Sequence, residues 1–175
     1  MKPIFITGTG TGVGKSLVAA IVTEALRADY WKPIQAGYEE RTDSLLITQL
    51  LSNKKSHIHQ ELYKLKMPAS PHIAAKAEGK KIKIKDILKH LPVTKNQLVI
   101  EGAGGLMVPV NENEFMLEII KKLNVRVIIV SKNELGSINH SLMTAAILKR
   151  EKIDVAGWIF NEDYLNYESD ITNWS

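Results

Sequence analysis

The sequence contains no cysteine, and this absence removes several kinds of chemistry at once. Disulfides, thiolate metal sites and cysteine nucleophiles are all excluded. Aromatic residues are also scarce, at 6% of the chain, and they do not alternate with basic clusters as they do on a surface that stacks nucleic-acid bases. We therefore expect a cytoplasmic protein whose chemistry uses oxygen and nitrogen groups.

Long hydrophobic runs are missing too. Val125–Val130 is among the longest and is interrupted by Arg126, far short of the roughly 20 apolar residues of a membrane-spanning helix. The N-terminus passes directly into a strand pattern at Ile4–Thr7, so we expect no signal peptide. The net charge of +4 comes from scattered lysines, which indicates a solvated surface suited to anionic phosphates. Neither a membrane nor a nucleic acid is expected as a partner.

Short apolar runs alternate with amphipathic segments along the chain. A length of 175 residues with 45% hydrophobic content predicts a single domain over residues 1–175. The predicted strands, rich in Ile and Val, are Ile4–Thr7, Trp31–Ile34, Leu98–Glu101, Val125–Val130 and Val155–Phe160. The predicted helices are Lys15–Ala28, Ser44–Leu51, Glu114–Leu123 and Ser137–Arg150. This alternation predicts an α/β fold of three α/β/α layers around a mainly parallel sheet.

The strongest motif is the glycine-rich segment Gly8–Ser16, placed between the first strand and the first helix. Glycines allow backbone amides to surround phosphate oxygens, and the helix N-terminus adds free N–H groups. Lys15 can reach the β- and γ-phosphates, and the Ser16 hydroxyl can bind Mg²⁺. The usual phosphate-loop pattern is not met literally, because the match from Gly8 to Gly14 is one residue longer. A plain strand-to-helix turn is the alternative, but the motif favours a P-loop NTPase-like site for a nucleoside triphosphate.

Three polar residues accompany the predicted strands. Lys32 lies in an apolar strand, so its side chain either extends to solvent or faces an anion. Asp43 begins a helical segment, where an ordinary N-cap is the simplest interpretation. Glu101 ends a buried strand beside the phosphate loop, a position typical of a group that binds Mg²⁺ or orients water.

Other segments suggest binding loops. Ser56–Lys85 fits the strand–helix alternation least well and contains Pro68 and Pro71, as a long irregular binding loop would. Asn161 follows the last strand, where its amide either reads a base edge or turns the chain. The loop Ser131–Ser137 leads into a helix whose N-terminal amides could hold a carboxylate.

Taken together, these residues closely resemble the dethiobiotin synthetases along nearly the whole chain. The resemblance implies a homodimeric, ATP- and Mg²⁺-dependent ligase of biotin biosynthesis. Such an enzyme joins CO₂ to 7,8-diaminononanoate, forming a carbamate and then a carbamic–phosphoric anhydride before the ring closes. The segments that carry the resemblance are Phe5–Ser16, Lys32–Gly37, Pro68–His72, Glu101–Gly105 and Glu134–His140.

The resemblance also implies a role for individual residues. The catalytic residues would be Lys15, Lys32 and Thr11, and the Mg²⁺ ligands would be Ser16, Asp43 and Glu101. ATP would contact these and Gly12, Val13, Gly14, Leu17, Gly102, Ala103, Gly104, Asn161 and Glu162. The substrate would contact Thr11, Lys32, Gln35 and Ala36, and the partner subunit would hold its carboxylate tail through Gly136, Ser137, Ile138 and Asn139.

The sequence departs from the family pattern in two places. Ala36 stands where the family often has Ser or Thr, so a hydroxyl contact to substrate is absent, although Gln35 could replace it. The chain ends at Ser175, before a stretch that in the family helps to enclose the adenine. Two alternative functions remain. One is an amidating synthetase, but such enzymes usually carry a cysteine-dependent domain and this chain has no cysteine. The other is a partitioning ATPase, but such proteins usually have an additional lysine near Thr9, which is absent here.

Overall fold

The computed structural model describes residues 1–38, 41–162 and 167–175. Within these ranges it contains eight strands and seven helices. The strands are β1 (Ile4–Gly8), β2 (Asp29–Trp31), β3 (Ile34–Ala36), β4 (Ile58–His59), β5 (Tyr63–Leu65), β6 (Leu98–Gly105), β7 (Arg126–Asn133) and β8 (Asp154–Glu162). The helices are α1 (Lys15–Leu26), α2 (Asp43–Leu50), α3 (Pro71–Ala77), α4 (Ile84–Lys89), α5 (Met116–Leu123), α6 (Ser137–Arg150) and α7 (Glu168–Trp174).

Six strands form the main sheet in the order β4-β2-β6-β1-β7-β8, and all neighbours are parallel. A separate parallel pair joins β3 to β5. Parallel strands require crossover connections, and the helices between them supply these. The predicted α/β fold with a mainly parallel sheet is confirmed.

Side chains alternate between the two faces of the sheet, so neighbouring residues enter different cores. Ile6 and Val99 belong to the core beneath α1 and α2. Phe5 and Ile100 belong to the larger core on the other face, together with residues of α3, α4, α5 and α6. The molecule therefore has three layers, and the burial of both sheet faces explains why its strands read as continuous apolar runs.

The predicted strand Trp31–Ile34 is wrong in one respect. β2 ends at Trp31, and β3 begins at Ile34 in the second sheet. Pro33 lacks an N–H group and cannot donate to a strand ladder, although its carbonyl oxygen accepts a hydrogen bond from Tyr63 N at 2.9 Å. Lys32 consequently occupies the break between two strands, where its long side chain can leave the sheet.

The segment Ser56–Lys85 is more regular than predicted, since β4, β5 and α3 lie within it. The remaining predicted elements are confirmed with shifted ends; β6, for example, continues beyond Glu101 to Gly105. Across the described ranges, no helix combines the length and apolar character needed to cross a membrane.

Candidate active site

A cavity of about 690 Å³ opens at the carboxyl ends of β1, β2 and β6. Ligands of open parallel α/β sheets bind at this edge, and the volume suits a small organic ligand. The lining residues come from the phosphate loop, the strand ends and the loop before α3. They are Thr11, Gly12, Gly14, Lys15, Ser16, Leu17, Lys32, Gln35, Ala36, Asp43, Leu46, Pro68, Ala69, Ser70, Pro71, Glu101, Ala103, Gly104 and Val108.

The phosphate loop turns into α1 through glycines in a left-handed conformation, with φ of +75° at Gly12 and +99° at Gly14. Other residues adopt this conformation only with strain, so the loop requires glycine at both positions. The first amides of α1 lack intrahelical partners and point toward the loop. Lys15, the first residue of α1, donates from Nζ to the Gly10 carbonyl oxygen at 2.7 Å.

Lys15 is 7% exposed, and its burial has an electrostatic consequence. Burial, and next the nearby positive charge of Lys32, lower the pKa of Lys15 to about 8. An anion brought into the cavity would oppose both effects by favouring the charged ammonium group. The lysine is therefore suited to pairing with a phosphate.

Lys32 bridges two carboxylates. Its Nζ lies 2.6 Å from Asp43 Oδ2 and 2.8 Å from Glu101 Oε1. Burial alone would lower the pKa of Lys32, but the charges of Glu101 and Asp43 outweigh burial and raise it. Burial likewise opposes ionisation of Asp43, yet Lys32 more than compensates and the pKa of Asp43 is lowered. Lys32 and Asp43 are thus held in their charged forms.

Ser16 connects the same carboxylates to the phosphate loop. Its Oγ lies 2.7 Å from Asp43 Oδ1 and 2.9 Å from Glu101 Oε1, so its single proton serves one carboxylate at a time. Asp43 is free for this contact because Thr42 provides the N-cap of α2, accepting a hydrogen bond from Leu45 N. The N-cap interpretation of Asp43 is therefore wrong.

The oxygen atoms of Ser16, Asp43 and Glu101 are the hard donors that Mg²⁺ prefers. No group of three His, Cys, Asp or Glu side chains among the described residues could hold a metal ion unaided. Mg²⁺ commonly binds to one or two carboxylates and completes its coordination with water and phosphate oxygens. The donor set therefore fits Mg²⁺ delivered with a nucleotide.

Tyr30 lies behind Glu101 and was not identified from the sequence. Its phenol donates to Glu101 Oε2 at 2.8 Å, and its side chain is 0% exposed. Burial, and next the charge of Glu101, raise the pKa of Tyr30 well above its usual range, so the phenol remains a donor. The sequence gives no signal for this contact, because an aromatic residue in a buried strand usually serves only packing.

Most of the predicted site residues line the cavity, but several do not. Val13 is buried in the core beneath α1. Gly102 packs against Phe5, whose Cε1 would lie 2.7 Å from an added Cβ atom. The lining residues that the sequence-based site omitted are Leu46, Pro68, Ala69, Ser70, Pro71 and Val108. The prolines already mark the loop Pro68–Pro71 in the sequence, whereas nothing in the sequence indicates that Leu46 and Val108 line the cavity.

Gln35 lines the cavity, but its amide group has partners within the protein. Its Nε2 donates to the Gly37 carbonyl oxygen at 2.8 Å, and its Oε1 accepts from Asp43 N at 3.2 Å. The second bond ties the first residue of α2 to Gln35 and holds the backbone of Asp43 near the cavity. Ala36 beside it offers no hydroxyl.

Two groups of predicted residues lie outside the cavity lining. Asn161 packs beside the phosphate loop, with Nδ2 donating to the Val13 carbonyl oxygen at 3.4 Å, and Glu162 ends β8 next to it. Gly136–Asn139 surround the N-terminus of α6, which starts at Ser137 after Gly136 with φ of +92°. None of Gly136, Ser137, Ile138 and Asn139 is among the residues lining the described cavity.

Comparison with known proteins identifies relatives along most of the chain. A family model described as an AAA domain matches residues 2–172. The ATP-dependent dethiobiotin synthetase of Christiangramia forsetii is 52% identical over 162 residues, covering 93% of this chain and 77% of the relative. The enzyme of the same name from Cytophaga hutchinsonii is also 52% identical, and that of Paramagnetospirillum magneticum is 41% identical; these matches cover 92% of this chain and 77% of each relative.

Among solved structures, a ParA family ATPase from Chlorobium tepidum matches with a TM-score of 0.56. The match covers 98% of this chain and 79% of that protein, at 12% sequence identity. At so low an identity, the likeness concerns the fold alone.

Proposed function

The chain belongs to the dethiobiotin synthetase family, and we propose on this premise that it closes the cyclic urea of dethiobiotin from 7,8-diaminononanoate, CO₂ and ATP. ADP and phosphate are the other products, and the reaction is a carbon–nitrogen ligation in biotin biosynthesis. The observation that carries the proposal is the convergence of Lys15 and Lys32 with two carboxylates on one cavity at the phosphate loop. The reaction brings a carbamate and the γ-phosphate of ATP together, and the positive charges of the two lysines can offset both anions.

The chemistry begins at an amine of the substrate, which attacks CO₂ and loses a proton to give a carbamate. A carbamate oxygen then attacks the γ-phosphorus of ATP, the bond to the β-phosphate oxygen breaks, and ADP leaves. The second amine attacks the carbonyl carbon of the resulting anhydride and expels phosphate. Lys15 and Lys32 would offset the charge of the transferring phosphoryl group and the carbamate. Thr11, which lines the same cavity, would contact the carbamate.

Mg²⁺ would be held by Ser16, Asp43 and Glu101, and when bound it offsets the charge of the phosphate oxygens. Lys32 pairs with both carboxylates in the described geometry, and its single positive charge can offset only one of theirs. These carboxylates must therefore be shared between a lysine and a metal ion. Backbone amides of Gly12 and Gly14 would hold phosphate oxygens, and the Asn161 amide would read the base.

We further propose that the enzyme acts as a homodimer in the cytoplasm. Gly136–Asn139 do not line the cavity of their own chain, which supports a role in holding the substrate carboxylate for a partner subunit. Leu135, beside these residues, is 92% exposed, and Met143 on α6 is 57% exposed. Apolar side chains this accessible suit an interface between subunits.

A product assay tests the proposal. Purified protein is incubated with ATP, MgCl₂, bicarbonate and 7,8-diaminononanoate, and dethiobiotin is detected by mass spectrometry. We expect dethiobiotin only when all four are present, with one ADP formed per product molecule. ATP hydrolysis that is independent of the diamine would contradict the proposal and favour a partitioning-type ATPase.

A further inference from the structure

The two carboxylate oxygens of Glu101 have different hydrogen-bond partners. Oε1 faces Lys32 at 2.8 Å and Ser16 at 2.9 Å, both of which line the cavity. Oε2 faces the protein interior, where the Tyr30 phenol donates to it at 2.8 Å. Glu101 itself is 1% exposed, so each oxygen depends on partners within the protein.

The register of the sheet explains why Tyr30 can reach this carboxylate. Tyr30 on β2 pairs with Val99 on β6, two residues before Glu101. Side chains two residues apart on a strand share a face, so the tyrosine ring extends along β6 and places its hydroxyl beside the carboxylate. The ring belongs to the apolar core beneath α1, where a phenylalanine would also be suitable.

The hydroxyl of Tyr30 is therefore not needed to fill the core. A hydroxyl in an apolar core is unfavourable unless it is hydrogen-bonded, and here its partner is a carboxylate of the proposed cation site. We propose that Tyr30 is a positioning residue, whose phenol fixes the Glu101 carboxylate so that Oε1 faces Lys32 and Ser16 and Glu101 can hold Mg²⁺. This inference rests on the proposed Mg²⁺ site.

Removal of the phenol would leave Oε2 buried without its donor. The carboxylate would then turn to share Lys32 through both oxygens, and less of it would be available to a metal ion. Groups that hydrogen-bond to metal ligands commonly change metal affinity or activity by about 10- to 100-fold. Tyr30→Phe should accordingly raise the free Mg²⁺ concentration that half-saturates the site by about tenfold or more.

The test measures binding rather than turnover. A fluorescent ADP analogue is titrated into wild type and Tyr30→Phe over a series of free Mg²⁺ concentrations, and the half-saturating Mg²⁺ concentration is read from the change in nucleotide affinity. Tyr63→Phe is the matched control, because its phenol accepts from Lys83 N at 3.1 Å, away from the cavity lining. Thermal unfolding verifies that each variant is folded.

We expect a shift of about tenfold or more in Tyr30→Phe and less than about twofold in Tyr63→Phe. In a Glu101→Gln background, Tyr30→Phe should have no further effect, since the two residues act through one bond. A folded Tyr30→Phe protein that matches wild type would overturn the role of Tyr30 alone. Nucleotide affinity independent of Mg²⁺ in wild type would overturn the Mg²⁺ site itself. If Tyr30→Phe has the same effect in the Glu101→Gln background as in wild type, the positioning role is also overturned.

Discussion

The two buried lysines of the cavity have different local partners. Lys15 bonds to a neutral carbonyl oxygen, that of Gly10, whereas Lys32 bonds to two carboxylates. Among the described residues Lys15 therefore has no directly paired carboxylate, so an incoming phosphate can pair with it, whereas Lys32 already contacts two carboxylates. Substitution should accordingly affect ligand binding at Lys15, and protein stability as well as catalysis at Lys32.

Replacement of Lys15 with alanine removes the cation nearest the phosphate loop. We expect kcat/KM for ATP to fall by about 100-fold or more, because a preorganised charge in a buried site contributes several kcal/mol to transition-state stabilisation. Steady-state kinetics measures this, with exposed Lys66→Ala as the control. Turnover of Lys15→Ala at the wild-type rate would refute the role assigned to this lysine.

Replacement of Lys32 with methionine keeps a side chain of similar length but leaves Asp43 and Glu101 without their shared cation. Breaking a buried ion pair in this way costs about 3–5 kcal/mol, and Asp43 is partly exposed, so we expect a loss near the lower end. The free energy of unfolding from urea titration measures it. Glu101→Gln in the same background should recover part of the loss by removing one uncompensated charge. A double variant less stable than Lys32→Met would contradict this account.

The sequence predicts some of these residues well and others not at all. Lys15 and Ser16 follow from the glycine-rich motif, because a local stretch of chain builds the phosphate loop. Glu101 follows from its place at the end of the predicted strand Leu98–Glu101, although β6 continues to Gly105. Tyr30 does not follow, since its role depends on strand order and on the register of β2 against β6. Such non-local pairings leave no trace in local residue patterns.

At the scale of whole elements, apolar periodicity predicts the helices better than it predicts their buried faces. The helical spacing of Leu17 and Ile21 predicts an apolar stripe on α1, but the two side chains are 52% and 58% exposed. The smaller Ala19 and Ala20 are buried instead, as a close approach of helix to sheet requires. The break at Pro33 was also missed, because an apolar run does not reveal where one sheet ends and another begins.

Asp29 connects several elements at the amino ends of the strands, opposite the cavity. At the start of β2, its Oδ1 accepts hydrogen bonds from His57 N at 3.0 Å and Asn96 Nδ2 at 2.9 Å. Burial opposes ionisation, but the hydrogen bonds from Asn96 and its neighbours outweigh it, and the pKa of Asp29 is lowered. A lowered folded-state pKa adds stability above the unfolded value of about 3.9, and this stability is lost as pH falls through the folded value.

Asp29→Asn should therefore destabilise the protein by about 2 kcal/mol at neutral pH, since hydrogen bonds to a charged group are the stronger kind. The difference from wild type should shrink as the pH approaches the folded pKa of Asp29. Urea unfolding at neutral and acidic pH measures both values. Asp154→Asn is the control, because Asp154 forms an exposed ion pair with Arg126 at 3.5 Å and such pairs contribute little. A penalty independent of pH would contradict the prediction.

At the scale of the whole molecule, the proposed dimer can be tested through α6. Met143 lies four residues after Asn139 and therefore shares its helix face. Met143→Glu should weaken self-association by about tenfold or more by placing a charge in the interface, and it should raise KM for the diamine. Sedimentation velocity and steady-state kinetics measure these effects.

Ile21→Glu on α1 is the matched control, since Ile21 is equally accessible at 58% exposure. It should leave association unchanged if α6 forms the interface. Dissociation by Ile21→Glu instead of Met143→Glu would place the interface on α1, and a monomeric wild type with full activity would exclude a required dimer.

The order of strands in the main sheet also determines which parts of the protein can fold while the chain is being synthesised. β1 pairs only with β6 and β7 among the described strands, and β6 starts at Leu98. Synthesis of the intervening chain takes roughly 5–20 s at ordinary translation rates. During that time the nascent phosphate loop follows a strand with no partner. Arrest of translation before Leu98 should therefore leave a ribosome-bound chain unable to bind nucleotide, and the unpaired β1 edge would be open to capture by a chaperone.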